Sequence, residues 1–360
     1  LKQPDAMTKP CTRPARRRRL PAPVGALIEI VAPHLRASTL MAGLAVLAVL
    51  AVLPPPALAQ QPWPNRPMRL IVPFPPGGPT DLIGRTAARI LSDTLGQPVL
   101  VENRAGGSGV TGVDALARSA PDGYTVGLTA ITLATAPHLG PVPFDSLRDF
   151  SFITNLVITT PLIDAHPSFP ASNLAELVAL ARSQPGALQY GTPGVATVPH
   201  LAAEMLQAAA GIKLVHVPYK GTAQLTGDLL AGVIRLNFES SLVLALPNIR
   251  AGKLKPIAVI GSKRAAMLPD VPTIAESGFP DIHAEPWFGL GAPAGLAAGQ
   301  RQRMNEALVR GMQSREVIER FAAVGAEVRT TTPEAFEAFV RSEYTRWGEV
   351  IRRTGIQGER

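Results

Sequence analysis

Arg69-Leu-Ile-Val-Pro-Phe-Pro-Pro-Gly-Gly-Pro-Thr-Asp-Leu-Ile-Gly-Arg85 reads as a strand feeding a helix through a tight turn. Leu70 to Phe74 is an apolar run short enough for a buried strand. Pro-Pro-Gly-Gly-Pro makes the turn, and Thr80 or Asp81 is placed to cap a helix with apolar positions at Leu82, Ile83, Ala87, Ile90 and Leu91. The first N–H groups of such a helix have no partners within it. With the positive end of the helix dipole, they form a site for an anion. Gly77 and Gly78 carry no Cβ, so a ligand can approach the main chain there. An ordinary βα turn whose glycines satisfy geometry alone has the same sequence, so the rest of the chain must decide.

From Gln60 onward strands and helices alternate. Val99–Asn103 reads as a second strand, Gly106-Gly-Ser-Gly109 turns into a helix near Val110–Arg118, and Tyr124–Thr129 is a third strand. This βαβαβ rhythm predicts a parallel sheet covered on both faces. An irregular section from Ala130 to Phe150 and an extended apolar segment from Phe152 to Ile163 follow. A second series begins near His166. It has helices at 173–182, 197–210 and 224–230, and strands at Leu188–Tyr190, Leu214–Val217, Ile234–Phe238 and Pro256–Ile260. Trp287–Gly291 reads as a return segment, ahead of helices near 298–312, 314–323 and 333–353. The simplest architecture is two α/β lobes with the chain crossing between them twice: lobe 1 from 60–163 and 283–360, lobe 2 from 164–282. Ligands bind open α/β sheets at the carboxyl ends of strands, so the cleft between the lobes is the expected site.

Residues 1–59 are set apart by charge. The whole chain of 360 residues has a formal charge of +8. The first 59 residues hold eight Lys/Arg and two acids, leaving 27 basic against 25 acidic residues beyond them. The basic excess is therefore no argument for nucleic-acid binding by the folded part. Leu40 to Leu53 is an uncharged apolar run, shorter than the roughly 20 residues of a membrane span. Arg36 precedes it, and Ala57-Leu58-Ala59 supplies a signal-peptidase pattern. The expectation is a leader at 1–59, cleaved before Gln60, and a soluble exported protein in the periplasm. Cys11 is the one cysteine of the sequence and falls in that leader, so neither disulfide nor thiol chemistry is expected of the mature chain.

The ordered motifs of the mature chain resemble the tripartite tricarboxylate transporter substrate-binding (Bug/TctC) family. The resemblance is carried by Arg69–Asp81, Gly96-Gln-Pro-Val-x-Val-Glu-Asn-Arg104, Pro121-Asp-Gly-Tyr-Thr125, His200-Leu-Ala-x-Glu204 and Val215-His-Val-Pro-Tyr-Lys-Gly221. Ala251-Gly-Lys-Leu254, Leu268-Pro-Asp-Val-Pro-Thr273 and Trp287-Phe-Gly-Leu290 complete it. It implies a type II periplasmic-binding-protein fold, a Venus flytrap with two interlobe crossovers. It also implies binding of a small carboxylated solute, and a two-component integral membrane transporter as partner. The chain is expected to act as a monomer with no cofactor, no metal and no catalytic residue.

Carried over residue by residue, the first ligand loop is Pro76, Gly77, Gly78, Thr80 and Asp81, with Thr129 at the end of the third strand. The second maps to Tyr190–Thr197, giving Gly191, Thr192, Gly194, Ala196 and Thr197, with His200 beyond it. Here Ala196 replaces a common glycine, Val195 an often polar residue and Pro199 a common serine, so this side of the cleft is less polar and amino-acid substrates are disfavoured. Glu239 stands where an Asp is frequent and is placed to accept a hydrogen bond from a ligand hydroxyl, an amine or water, with a solvated strand-end carboxylate as the equal alternative. An exported α/β enzyme on a small carboxylate is the alternative. His200, however, opens an apolar helix face and has a structural reading as well. Gly106-Gly-Ser-Gly109 lacks the second glycine of a nucleophile elbow, and no Walker loop is present.

Overall fold

The computed structural model describes residues 63–282 and 284–356. The leader reading, Cys11 and His283 lie outside the described residues. Eleven strands are described. Six form one sheet in the order β11-β4-β10-β3-β1-β2, and five form a second in the order β7-β6-β8-β5-β9.

In the first sheet β1 (Met68–Val72) pairs in parallel with β2 (Val99–Asn103) and with β3 (Thr125–Ala130). The sheet is not wholly parallel as the βαβαβ rhythm predicted. The return segment, β10 (Trp287–Pro293), inserts antiparallel between β3 and β4 (Phe150–Thr159), and β11 (Ala326–Val328) pairs antiparallel with β4. In the second sheet β6 (Gln189–Thr192) is parallel to β7 (Val215–Pro218) and β8 (Leu236–Glu239). There β5 (Leu162–Ala165) runs antiparallel to β8 and to β9 (Lys255–Val259). The extended segment expected at 152–163 is thus two strands in different sheets, divided at Thr160-Pro161. Leu162 and Ile163, assigned to lobe 1 by the sequence, pair within the second sheet. The chain returns to the first sheet between Val259 and Trp287.

Helix α1 (Pro79–Leu95) follows β1 and turns Ile83, Ala87, Ile90 and Leu91 onto the sheet. They meet Leu70, Leu128 and Leu290 from the strands and Met304 and Leu308 of α8 (Ala298–Met312). The helices between these are α2 (Val110–Ala117), α3 (Thr132–Leu139), α4 (Leu174–Ser183), α5 (Val198–Ala210), α6 (Thr222–Leu230) and α7 (Leu242–Arg250). Each fully buried large aliphatic side chain contributes roughly 1.5–3 kcal/mol. The chain ends with α9 (Arg315–Ala322) and α10 (Pro333–Thr354).

Two helices were not anticipated. Both α3 and α7 contain a proline, Pro137 and Pro247, near the C-terminal end. Proline reads as a breaker in sequence, yet late in a short helix its missing donor removes one bond at most. Ser241 starts α7 by accepting from the Val243 N–H at 3.2 Å. From α10, Glu343 accepts from the indole N–H of Trp287 at 3.2 Å and of Trp347 at 3.0 Å, which ties the first residue of β10 to this helix. Among the described residues no helix is long and apolar enough to cross a membrane.

Candidate functional site

A cavity of about 300 Å3 lies between the two sheets. It sits beyond the carboxyl ends of β1, β3, β6, β7 and β8. The first lobe supplies Phe74 to Thr80 in part, Ala130 to Thr132, and Pro286 to Phe288. The second supplies Pro193, Thr197 and Val198, then Lys220 to Gln224, and Ser240. The starts of α1, α3, α5 and α6 therefore reach its wall, with Ser240 next to the cap of α7. Helix starts present unpaired N–H groups and positive potential, so their convergence favours an anion.

Of the candidates read from sequence, Gly78, Thr80 and Thr197 line this cavity. Gly77 needs its left-handed φ of +88°, whereas Gly78 at φ −92° does not. What matters at Gly78 is space. A Cβ there would stand 3.9 Å from the Cβ of Thr222 across the cleft, with γ atoms beyond it. Pro76 and Gly77 are exposed at the tip of the loop.

Asp81 stands behind the loop rather than in the cavity wall. One carboxylate oxygen accepts from the Gly77 N–H at 3.1 Å and from Arg85 Nε at 2.9 Å. The other accepts from Asn103 Nδ2 at 3.0 Å, whose amide also donates to the Phe74 carbonyl. Burial alone would raise its pKa, but the bonds from Arg85, Asn103 and Gly77 outweigh burial and hold the carboxyl below its ordinary value. Its oxygens are already engaged, and the role they define is fixing the turn.

The second loop is also braced internally. Thr197 Oγ1 donates to the Gly194 carbonyl at 2.6 Å, and the Gly194 N–H donates to Thr192 Oγ1 at 3.3 Å. Ala196 adopts φ +63°, the left-handed region, which explains why glycine suits this position. Its N–H donates to His200 Nδ1 at 3.3 Å. The His200 ring stacks at 4.3 Å on His216, which stacks at 5.0 Å on Tyr190. Burial pushes His216 down to about 4. His200 is 4% exposed and serves this stack rather than the cavity. Gly191 lies under the Leu225 side chain of α6, which leaves no room for a Cβ.

Glu239 is 1% exposed, one layer behind the wall. Its Oε1 accepts from the Ser240 N–H at 2.6 Å and from Thr222 Oγ1 at 3.2 Å, and both of these residues line the cavity. Burial pushes its carboxyl up to about 7, against the lowering effect of those bonds. Asp164, fully buried, is raised well above its ordinary value by burial and by the Glu239 charge, and it accepts from Asn237 Nδ2 at 2.8 Å. Thr129 Oγ1 is buried with no protein partner.

The segment Lys220–Gln224 and the β10 residues Trp287 and Phe288 were missed as site residues. The signal for the first was present, because Tyr219-Lys-Gly221 before a helix repeats the strand–glycine–helix order of the first loop. The β10 side chains join the site through antiparallel pairing with β3, Phe288 opposite Ala130, which nothing local in the sequence announces. Among the described residues no three His, Cys, Asp or Glu side chains gather to hold a metal ion.

A cavity between two α/β lobes, walled by helix starts and reached by two chain crossings, defines a two-lobed solute-binding protein. The family model of the tripartite tricarboxylate transporter family receptor matches residues 83–356. The chain belongs to this family, whose members are periplasmic receptors. Protein BugT of Bordetella pertussis is 38% identical over 298 residues, covering 82% of this chain and 91% of that protein. A solved R. palustris protein, Rpa4515 with adipate, is 31% identical with a TM-score of 0.79, over 82% of this chain and 99% of that one. MatC of Rhodopseudomonas palustris with bound malate is 29% identical with a TM-score of 0.75, over 80% and 100%.

Proposed function

We propose that the protein captures a small carboxylated organic solute in the interlobe cavity, in the periplasm, and hands it on or reports it without transforming it. One observation carries this reading: several helix starts, from both lobes, converge on a cavity whose lining includes a single ionisable side chain, the exposed Lys220. Backbone N–H groups at the starts of α1, α5 and α6 are then the anchor for a carboxylate. Charge-assisted hydrogen bonds are worth on the order of 1.5–3 kcal/mol each, so a few suffice without a buried cation. The adipate and malate held by related proteins agree with this ligand chemistry.

The histidines argue against catalysis at this site. His200 is tied to Ala196 and His216 to Thr192, and no nucleophile stands beside either in the cavity wall. Closure of the two lobes over the solute would create the form recognised by a two-component membrane transporter or a sensor.

Calorimetry on two variants tests the anchor. Gly78→Val should weaken carboxylate binding at least tenfold by filling the space before α1, whereas Lys220→Ala should change it less than threefold. Circular dichroism checks that both fold. Normal binding by Gly78→Val together with lost binding by Lys220→Ala would sink the helix-start model in favour of a side-chain cation.

A further inference from the structure

Resting on that reading of the cavity, we infer that the solute is a monocarboxylate with a compact apolar body, of the size of an aromatic or branched-chain acid. Ile131, Val198, Trp287 and Phe288 are the residues that select it.

The argument begins with the polar groups, because several are already occupied. Thr197 gives its hydroxyl to Gly194 at 2.6 Å, and Thr222 gives its own to Glu239 at 3.2 Å. The Ser240 N–H is likewise held by Glu239 at 2.6 Å. The indole N–H of Trp287 points away to Glu343 at 3.2 Å, so this side chain offers the cavity only its ring. That ring is fixed edge-to-face against Phe336 at 5.7 Å and Phe339 at 5.6 Å, which makes it a preformed wall. Carbon from Phe74, Ile131, Val198, Trp287 and Phe288, with four prolines, makes up most of the surface the cavity presents.

Charge narrows the class further. No Asp or Glu lines the cavity, so the ammonium of an amino acid would be desolvated without a partner. With one carboxylate at the helix starts, no buried cation remains in the lining for a second. A second would lie against apolar walls or approach Glu239 behind Ser240 and Thr222. Lys220, at the exposed rim, is the one cation in the lining. Hydroxyl groups along the solute find side-chain partners only at Thr80, Thr132, Gln224 and Ser240; against the rest of the wall they would lose water to carbon, each at a cost of roughly 1–3 kcal/mol. A cavity of about 300 Å3 stands at the small end of ligand pockets, which suits a single ring or a short branched chain.

The test is calorimetry on the purified protein with benzoate, phenylacetate and 4-methylvalerate against malate, adipate and glutamate, with benzamide as the uncharged control. The apolar monocarboxylates should bind at least tenfold tighter than every member of the second set, and benzamide should not bind. Tighter binding of a dicarboxylate or of glutamate overturns the inferred class while leaving the anion site standing. Absence of binding by all the acids, or benzoate binding untouched by Gly78→Val, overturns the cavity reading itself. Val198→Thr and Ile131→Thr each add a hydroxyl to the wall, and each should lower the benzoate-to-malate affinity ratio at least threefold. Because both ligands are measured on the same variant, a loss of folding cancels from the ratio. A ratio unchanged in both variants removes these side chains from the selection.

Discussion

Glu239 places a titrating carboxyl directly behind the wall of the cavity. In the unfolded chain it ionises near the ordinary glutamate value of 4.5, whereas in the folded protein burial moves it to about 7. Between those values the folded state holds a proton that the unfolded state has lost. Its contribution to stability is therefore complete below pH 4.5, declines as pH rises, and is gone once pH passes about 7. At 1.36 kcal/mol for each pKa unit this amounts to a change of about 3 kcal/mol. Urea unfolding of wild type should lose roughly this much stability from pH 5 to pH 8 relative to Glu239→Gln; parallel curves would mean that Glu239 is charged throughout. A bound carboxylate adds a second negative charge near it, so affinity should also rise from pH 8 to pH 6 in wild type and much less in the variant. Glu239 was legible as a strand-end acid facing the cleft. Its burial and its neighbour Asp164 were not, because Asp164 of β5 and Asn237 of β8 are 73 residues apart and the pairing of their strands is set by the whole sheet.

The two ligand loops share one construction: a strand ends, a turn rich in glycine and proline follows, and a helix begins with its donors uncovered. That grammar is local, which is why Gly78, Thr80 and Thr197 were recognisable in the sequence. The supporting bonds were not. Asp81 enters the ligand set through the resemblance of the first loop to the family, yet its oxygens are taken by Gly77, Arg85 and Asn103. The departure at Ala196 also acquires a physical meaning. A left-handed backbone costs a residue with a Cβ about 1–2 kcal/mol, and a β-branched residue more. Ala196→Gly relieves that strain but loosens the unfolded chain by up to about 1 kcal/mol, so its melting temperature should equal or slightly exceed that of wild type. Ala196→Val should destabilise by about 2 kcal/mol. A melting temperature for Ala196→Val as high as for Ala196→Gly would show that the loop does not need this conformation.

The lobes meet across the cavity. Thr135 of α3 donates to the Ala196 carbonyl at 2.7 Å, joining the first lobe to the second ligand loop. A Cβ on Gly221 would fall 3.1 Å from Pro75, and one on Gly194 would fall 2.5 Å from Ser108 Oγ, so the cleft is held at close approach on both sides. Near the first chain crossing, Thr159 Oγ1 donates to the Ser240 carbonyl at 2.7 Å, close to where any rotation would turn. Two α/β series with a late return strand were enough to read two lobes, but the closed contacts join residues that no local pattern connects. If closure traps the solute, bonds that exist only when the lobes meet must contribute to affinity without touching the ligand. Thr135→Val removes one such bond and leaves the Ala196 carbonyl buried without it, a loss of about 1–2 kcal/mol from the closed form alone. The apparent affinity for a bound carboxylate should then fall five- to thirtyfold. Small-angle scattering should show compaction on ligand addition in wild type, and the same compaction in Thr135→Val once ligand saturates it. Unchanged affinity in the variant, or no change in the radius of gyration of wild type on binding, would mean that the lobes do not close around the solute.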